Sequence, residues 1–169
     1  MNIKKSHTAC FSGYVPEKFL FPLGNKNGTE YIKFCNNINA AISDALNLGY
    51  NTFLCGMAKG FDLMCAQTVL KFREEQNNIK LITVLPFKTH SFVGEWGEIH
   101  RMVRCNADDE VIISPNNFTR GDYQLCNLFM VENSSHLICY WSGQEGGTAQ
   151  TIRMAEKHSH SIHNLWCAF

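Results

Sequence analysis

The eight cysteines, Cys10, Cys35, Cys55, Cys65, Cys105, Cys126, Cys139 and Cys167, include no C-x-x-C pair. A zinc ribbon or a thioredoxin-type motif is therefore not expected. Charge of one sign is lacking as well, since 15 basic and 15 acidic residues cancel to a net charge of zero. A surface held mainly by nucleic-acid backbone needs a basic excess, so nucleic acid is not the expected partner, although a local basic patch stays open. No apolar run approaches the roughly 20 residues of a membrane span, and no membrane partner is expected. The opening Met1-Asn2-Ile3-Lys4-Lys5-Ser6-His7 is basic, but no long apolar segment follows it, which does not fit a secretory signal. There is no G-x-G-x-x-G and no P-loop, so ordinary dinucleotide dehydrogenases and nucleoside triphosphatases are not indicated. No Ser-His-Asp or Cys-His arrangement can be defended from sequence. His158, His160 and His163 lie on a polar segment and read as a surface feature rather than a metal cluster. No metal and no cofactor is expected.

What is present points to a globular chain. Hydrophobic residues make up 45% of the 169 and charged residues 18%, which suits one domain over 1–169 with a sizeable core. Most cysteines sit inside apolar runs, where a free thiol behaves as a small hydrophobe. They read as reduced core thiols of a cytoplasmic protein.

Apolar strands alternate with helical patterns along the chain. Strands are predicted at 8–12, 51–55, 80–85, 110–114, 136–141 and 162–166, with Pro86 closing the third. Helices are predicted after an Asn27/Glu30 capping pair, then at 63–72, 123–133 and 149–157. Over 90–106 the pattern is mixed, with Trp96, Ile99, Met102 and Val103 able to share one face. Strands that are apolar throughout and alternate with helices imply a mostly parallel sheet covered by helices on both faces, a Rossmann-like three-layer α/β domain.

Ligands of such sheets bind beyond the carboxyl ends of the strands, where strand order reverses. Three strands end in suitable loops. The first gives Ser12-Gly13. The second gives Gly56-Met57-Ala58-Lys59-Gly60-Phe61-Asp62, and the fifth gives Ser142-Gly143-Gln144-Glu145-Gly146-Gly147-Thr148. The last two are glycine turns entering helices. Helix N-termini carry unpaired N–H groups and a positive dipole, which together make an anion cradle.

The motifs also resemble those of a family. Cys10-Phe11-Ser12-Gly13-Tyr14-Val15-Pro16-Glu17-Lys18 is similar to the opening C-F-T-G-H-R-P-E-K of the YpsA-like branch of the SLOG superfamily. Residues 56–62 resemble its G-M-A-x-G-x-D. Leu85-Pro86-Phe87, Trp96, the segment from Asn127 to Glu132, and Gly146-Gly147-Thr148 fall in the same order and spacing. The superfamily name joins DNA-processing protein A, which loads single-stranded DNA, with the LONELY GUY phosphoribohydrolases. The resemblance implies a nucleotide-binding Rossmann-like domain, and related domains sense NAD-derived or cyclic nucleotide signals in anti-phage systems. This chain departs from the family pattern in three places. The aspartates of the family's M-V-D-x-S-D segment become Glu132 and Ser135. Tyr14-Val15 replaces His-Arg, removing a cation, and no carboxylate follows Gly146-Gly147-Thr148 until Glu156, which places LONELY GUY-type hydrolysis in doubt.

The expected function is therefore binding of a nucleotide-derived small molecule, such as ADP-ribose, an NAD derivative or a cyclic nucleotide, for sensing or sequestration. The expected ligand-binding residues of the first loop are Ser12, Gly13, Tyr14, Glu17 and Lys18. The second loop adds Gly56, Met57, Ala58, Gly60 and Asp62. From the rest of the chain come Pro86, Phe87, Trp96, Arg120, Asn127, Glu132, Gly146, Gly147 and Thr148. The glycine turns would hold phosphates and Arg120 would clamp one. Asp62 and Glu132 would meet ribose hydroxyls, and Trp96 or Tyr14 would cover a base. The alternatives are an N-glycoside hydrolase acting on a nucleoside phosphate or ADP-ribose, with Glu132 as candidate acid, and single-stranded DNA binding. Helix 123–133 offers Leu125, Leu128, Phe129 and Met130 on more than one face. A homodimer or higher homo-oligomer meeting near that helix is expected.

Overall fold

The computed structural model describes residues 3–115, 119 and 121–168, with side chains as far as 166. Six strands form one all-parallel sheet: β1 (Thr8–Gly13), β2 (Thr52–Cys55), β3 (Lys80–Phe87), β4 (Asp109–Ser114), β5 (His136–Tyr140) and β6 (Ser161–Asn164). Their spatial order is β4-β3-β2-β1-β5-β6. The helices between them are α1 (Thr29–Asn47), α2 (Phe61–Glu75), α3 (Gly94–Asn106), α4 (Asp122–Glu132) and α5 (Gly147–Lys157). The fold is Rossmann-like α/β.

Side-chain alternation in the strands makes the two cores. Ala9 and Phe11 of β1, Phe53 and Cys55 of β2, and Ile138 and Tyr140 of β5 enter one cluster with Phe34, Ile38 and Ala41 of α1 and with much of α2. The intervening Cys10, Leu54, Leu137 and Cys139 enter the other, with Cys126 and Met130 of α4 and Ile152 of α5. Both faces being buried, the strands have no polar side to show, which explains their unbroken apolar runs. The aromatic centre of the first cluster is Phe34, whose ring meets those of Phe19, Phe21, Phe61 and Tyr140.

Some local expectations are revised. β3 continues through Pro86 to Phe87. Its pairing with β2 ends at Thr83, so beyond that residue β3 has a strand on one side only and a missing N–H is tolerated. The residue preceding α1 is Gly28, which offers no side-chain cap, in place of the Asn27/Glu30 pair. α3 buries Gly97, His100 and Val103, while Met102 stays exposed. The seven cysteines with described side chains are all free, and only Cys105 is exposed. His160 Nε2 lies 3.1 Å from Ser134 Oγ and so belongs to a structural contact. No helix among the described residues is long and apolar enough to cross a membrane.

Strand order reverses between β1 and β5. From β1 the chain steps outward through β2 and β3 to β4, then returns to add β5 and β6 on the other side. The carboxyl ends of β1 and β5 therefore diverge into loops that leave a crevice between them.

Candidate functional site

A cavity of about 380 Å³ opens at that crevice, within the range of small-molecule sites. Its walls come from the ends of β1, β2 and β3 and from the first turns of α4 and α5. Tyr14 spans the crevice. Its hydroxyl lies 2.7 Å from Ser142 Oγ and accepts the Ser142 N–H at 3.0 Å, tying the β1 loop to the β5 loop.

The two glycine turns have different structural roles. At α2 the Phe61 N–H donates to the Tyr14 carbonyl. Gly60 has φ +91, and a Cβ there would stand 2.7 Å from the Tyr14 oxygen, so only glycine fits. Gly13 answers it at the end of β1, where a Cβ would lie 2.4 Å from the Phe61 ring. The start of α2 is thus largely used in docking the β1 loop. At α5 the first intrahelical bond is Gln150 N–H to the Gly146 carbonyl, so the amides of Gly147, Thr148 and Ala149 have no partner within the helix. Gly147 and Thr148 line the cavity, and the first turn holds no acidic residue. Lys18 Nζ comes within 3.5 Å of the point that a Cβ on Gly146 would occupy, and lies 5.6 Å from the Tyr14 ring centre. A helix N-terminus and a lysine therefore face the same end of the cavity, an arrangement suited to an anion.

Asp62 is the only carboxylate in the described wall. It is 5% exposed. Burial pushes its pKa up to about 7, against the opposing pull of the Ala58 and Gly13 backbone amides. At neutral pH it is poised between acid and carboxylate, able to donate or accept a hydrogen bond.

The opposite end is aromatic and uncharged. His90, in the turn after β3, Phe92 and Tyr123 all line the cavity. Their rings meet edge to face, His90 with Phe92 at 5.0 Å and with Tyr123 at 5.9 Å. Burial, then the neighbouring His100 and Arg104, lower the His90 pKa to about 4, so its ring is neutral. Arg104 is held by a bidentate pair with Glu110 at 2.5 and 2.7 Å.

The cavity gathers Ser12, Gly13, Tyr14, Lys18, Gly56, Ala58, Asp62, Asn127, Gly147 and Thr148. Gly146 precedes α5 as its cap. Glu17 stands at the rim in an ion pair with Lys59, which itself lines the cavity. Met57 is wholly buried, Gly60 packs behind the wall, and Pro86 and Phe87 lie at the end of β3, Phe87 against the His90 ring. Trp96 is not brought to this cavity. It packs on the first core and lines a separate groove between α1, α2 and α3. Glu132 is likewise remote. It is exposed at the last turn of α4, and just beyond it the Ser135 N–H bonds the Thr8 carbonyl at the amino edge of the sheet. Arg120 lies outside the described residues.

Sequence reasoning missed Val15, Lys59, His90, Phe92, Tyr123 and Cys126. The available signal was position: His90 follows the end of β3 as Tyr14 and Gly56 follow β1 and β2. The Cys126 thiol donates to the Val84 carbonyl at 3.3 Å, and burial raises its pKa, so it is wall rather than nucleophile.

A family model described as the YspA SLOG family matches residues 9–167. The SPbeta prophage-derived protein YoqJ of Bacillus subtilis strain 168, described as uncharacterized, is 26% identical over 129 residues, covering 68% of this chain and 74% of its own. Among solved structures, DNA processing protein A from Streptococcus pneumoniae superposes with a TM-score of 0.62 at 14% identity, over 95% of this chain. The chain spans about half of that protein, 50% of its length. At that identity the likeness concerns the fold.

Proposed function

This chain belongs to the YspA SLOG family, and from that premise we propose that its cavity binds a nucleotide-derived small molecule for sensing or sequestration. The phosphate sits on the amides of Gly147 and Thr148 beside Lys18, and the ribose lies over Gly56 and Asp62. The observation that carries this reading is the pairing of the open α5 N-terminus with Lys18 at the strand-order reversal. An ADP-ribose-like, NAD-derived or cyclic nucleotide ligand fits the family resemblance and the cavity. Calorimetry against ADP-ribose, NAD, nucleoside monophosphates and cyclic dinucleotides tests it. Binding of at least one, weakened by Lys18→Ala, is the expected result; silence across the set from folded protein overturns it.

A second reading is hydrolysis of an N-glycosidic bond. Asp62 favours it, as a carboxyl inside the cavity with a pKa of about 7, because cleavage needs an acid or a charge partner near the anomeric carbon. Chromatography of incubated nucleotides decides between the two. A product whose rate falls at least about a hundredfold in Asp62→Asn supports the enzyme; no product keeps the protein a binder. Single-stranded DNA binding has less support, since the net charge is zero and the likeness to DNA processing protein A is one of fold.

The proposal extends to assembly. On α4 the described exposed apolar side chains are Tyr123 and Leu125, whereas Phe129 packs on the second core. A two-fold dimer through Leu125 would bring the partner to the mouth of the cavity.

A further inference from the structure

His90 carries a polar atom that the fold itself leaves unused. The residue is 2% exposed. Its Nδ1 lies 3.2 Å from His100 Nε2, so one ring donates to the other. No group among the described residues reaches its Nε2. Leaving such a nitrogen unsatisfied is costly, and unsatisfied groups of this kind call for a partner. His90 is itself one of the residues that line the cavity.

A phosphate has better partners elsewhere in the wall. The His90 ring is neutral, with a pKa held near 4 by burial and by His100 and Arg104. The cations of the wall, Lys18 and Lys59, stand in or beside the loops after β1 and β2, and the open helix end follows β5. The His90 end is instead lined by Phe92, Tyr123 and Asn127, two flat apolar faces and an amide. From β3 to β5 the sheet crosses three strand intervals, or roughly 14 Å at about 4.8 Å each. That matches the reach of a nucleotide from base edge to phosphate.

We propose that the end of the cavity at β3 is the base seat, and that His90 Nε2 hydrogen-bonds the edge of a nucleobase lying between Phe92 and Tyr123. His100 is a positioning residue, fixing which nitrogen of His90 carries the proton. This rests on the nucleotide reading above and adds to it the orientation of the ligand and the group that reads its base. It also transfers the base-covering role from Trp96, which faces another groove, to side chains absent from the sequence-level site.

The test compares ligands with and without a base. AMP and ADP-ribose are titrated calorimetrically beside ribose 5-phosphate, into wild type, His90→Leu and His90→Gln. The expected result is a preference for a base-bearing ligand that falls at least about tenfold in His90→Leu and is largely recovered in His90→Gln, whose amide supplies a polar edge. Wild-type protein labelled with ¹⁵N-histidine provides a readout that needs no variant. A base-bearing ligand should move the His90 Nε2 resonance, and ribose 5-phosphate should not. A preference unchanged by His90→Leu, or a bound base that leaves the resonance in place, overturns the base seat while leaving the nucleotide site standing. Silence of all three ligands on wild type overturns the base seat, and silence that extends to NAD and the cyclic dinucleotides overturns the nucleotide reading itself.

Discussion

Asp62 shows how much chemistry one buried side chain brings to this fold. Its carboxyl titrates near 3.8 in an unfolded chain and at about 7 in the native one. Between those values the native state holds the proton more tightly, so this residue lowers stability as pH rises from about 4 to 7, by about 4 kcal/mol in all. His90 and His136 act in the opposite sense. Burial lowers both to about 4, so the unfolded state takes up their protons first and stability is lost as pH falls from 6.5 to 4. Each is worth about 3 kcal/mol, and together they outweigh Asp62 over that window. Stability should therefore rise from pH 4 to about 6.5 and dip slightly toward 7. In Asp62→Asn the dip should vanish. Chemical denaturation across this range should show the variant gaining on wild type as pH rises. A difference that stays constant with pH would mean that Asp62 ionises freely in the folded protein. None of this was legible in the sequence, where Asp62 reads as a ribose contact, because its burial depends on parts of the chain, such as Gly13 and Gly56, that meet it only in the fold.

At the scale of elements, the loop after β1 and the start of α2 form one interlocked unit. Gly60 gives its place to the Tyr14 carbonyl, Gly13 gives its place to the Phe61 ring, and Tyr14 then reaches across to Ser142. Gly60→Ala combines a left-handed φ with a contact that backbone must yield to, and should cost about 2 kcal/mol or more. A matched substitution at Gly24, which has open space around its Cβ position, should cost well under half of that. Equal losses in thermal unfolding would show that the interlock is not tight. Strand order, helix order and both glycine turns were readable, because apolar runs and glycine positions carry that information locally. The unequal roles of the turns were not. They depend on a carbonyl 46 residues away in sequence from the Gly60 it excludes a side chain from. Glu132 illustrates the same limit, since α4 runs away from the cavity and its far end belongs to the other edge of the sheet.

For the whole molecule, the separation of charge within the cavity gives the fold a direction, with a cationic end at β1 and β5 and an aromatic, neutral end at β3. Assembly bears on this, because Leu125 is 53% exposed on the first turns of α4, close to Tyr123 of the wall. Light scattering at tens of micromolar should give about twice the 19.2 kDa of one chain, and Leu125→Glu should return it to the single mass without loss of fold. A single mass for the unaltered protein would contradict the dimer. Phe129→Glu would be a poorer test, since Phe129 packs on the second core and a charge there would also cost stability.

The most direct measurement of the central claim is a crystal structure of the protein with ADP-ribose or the tightest ligand of the calorimetric set. The account expects phosphate density within hydrogen-bond reach of the Gly147 and Thr148 amides and Lys18 Nζ. Phosphate in the groove beside Trp96, or at the rim between Glu17 and Lys59, would contradict it.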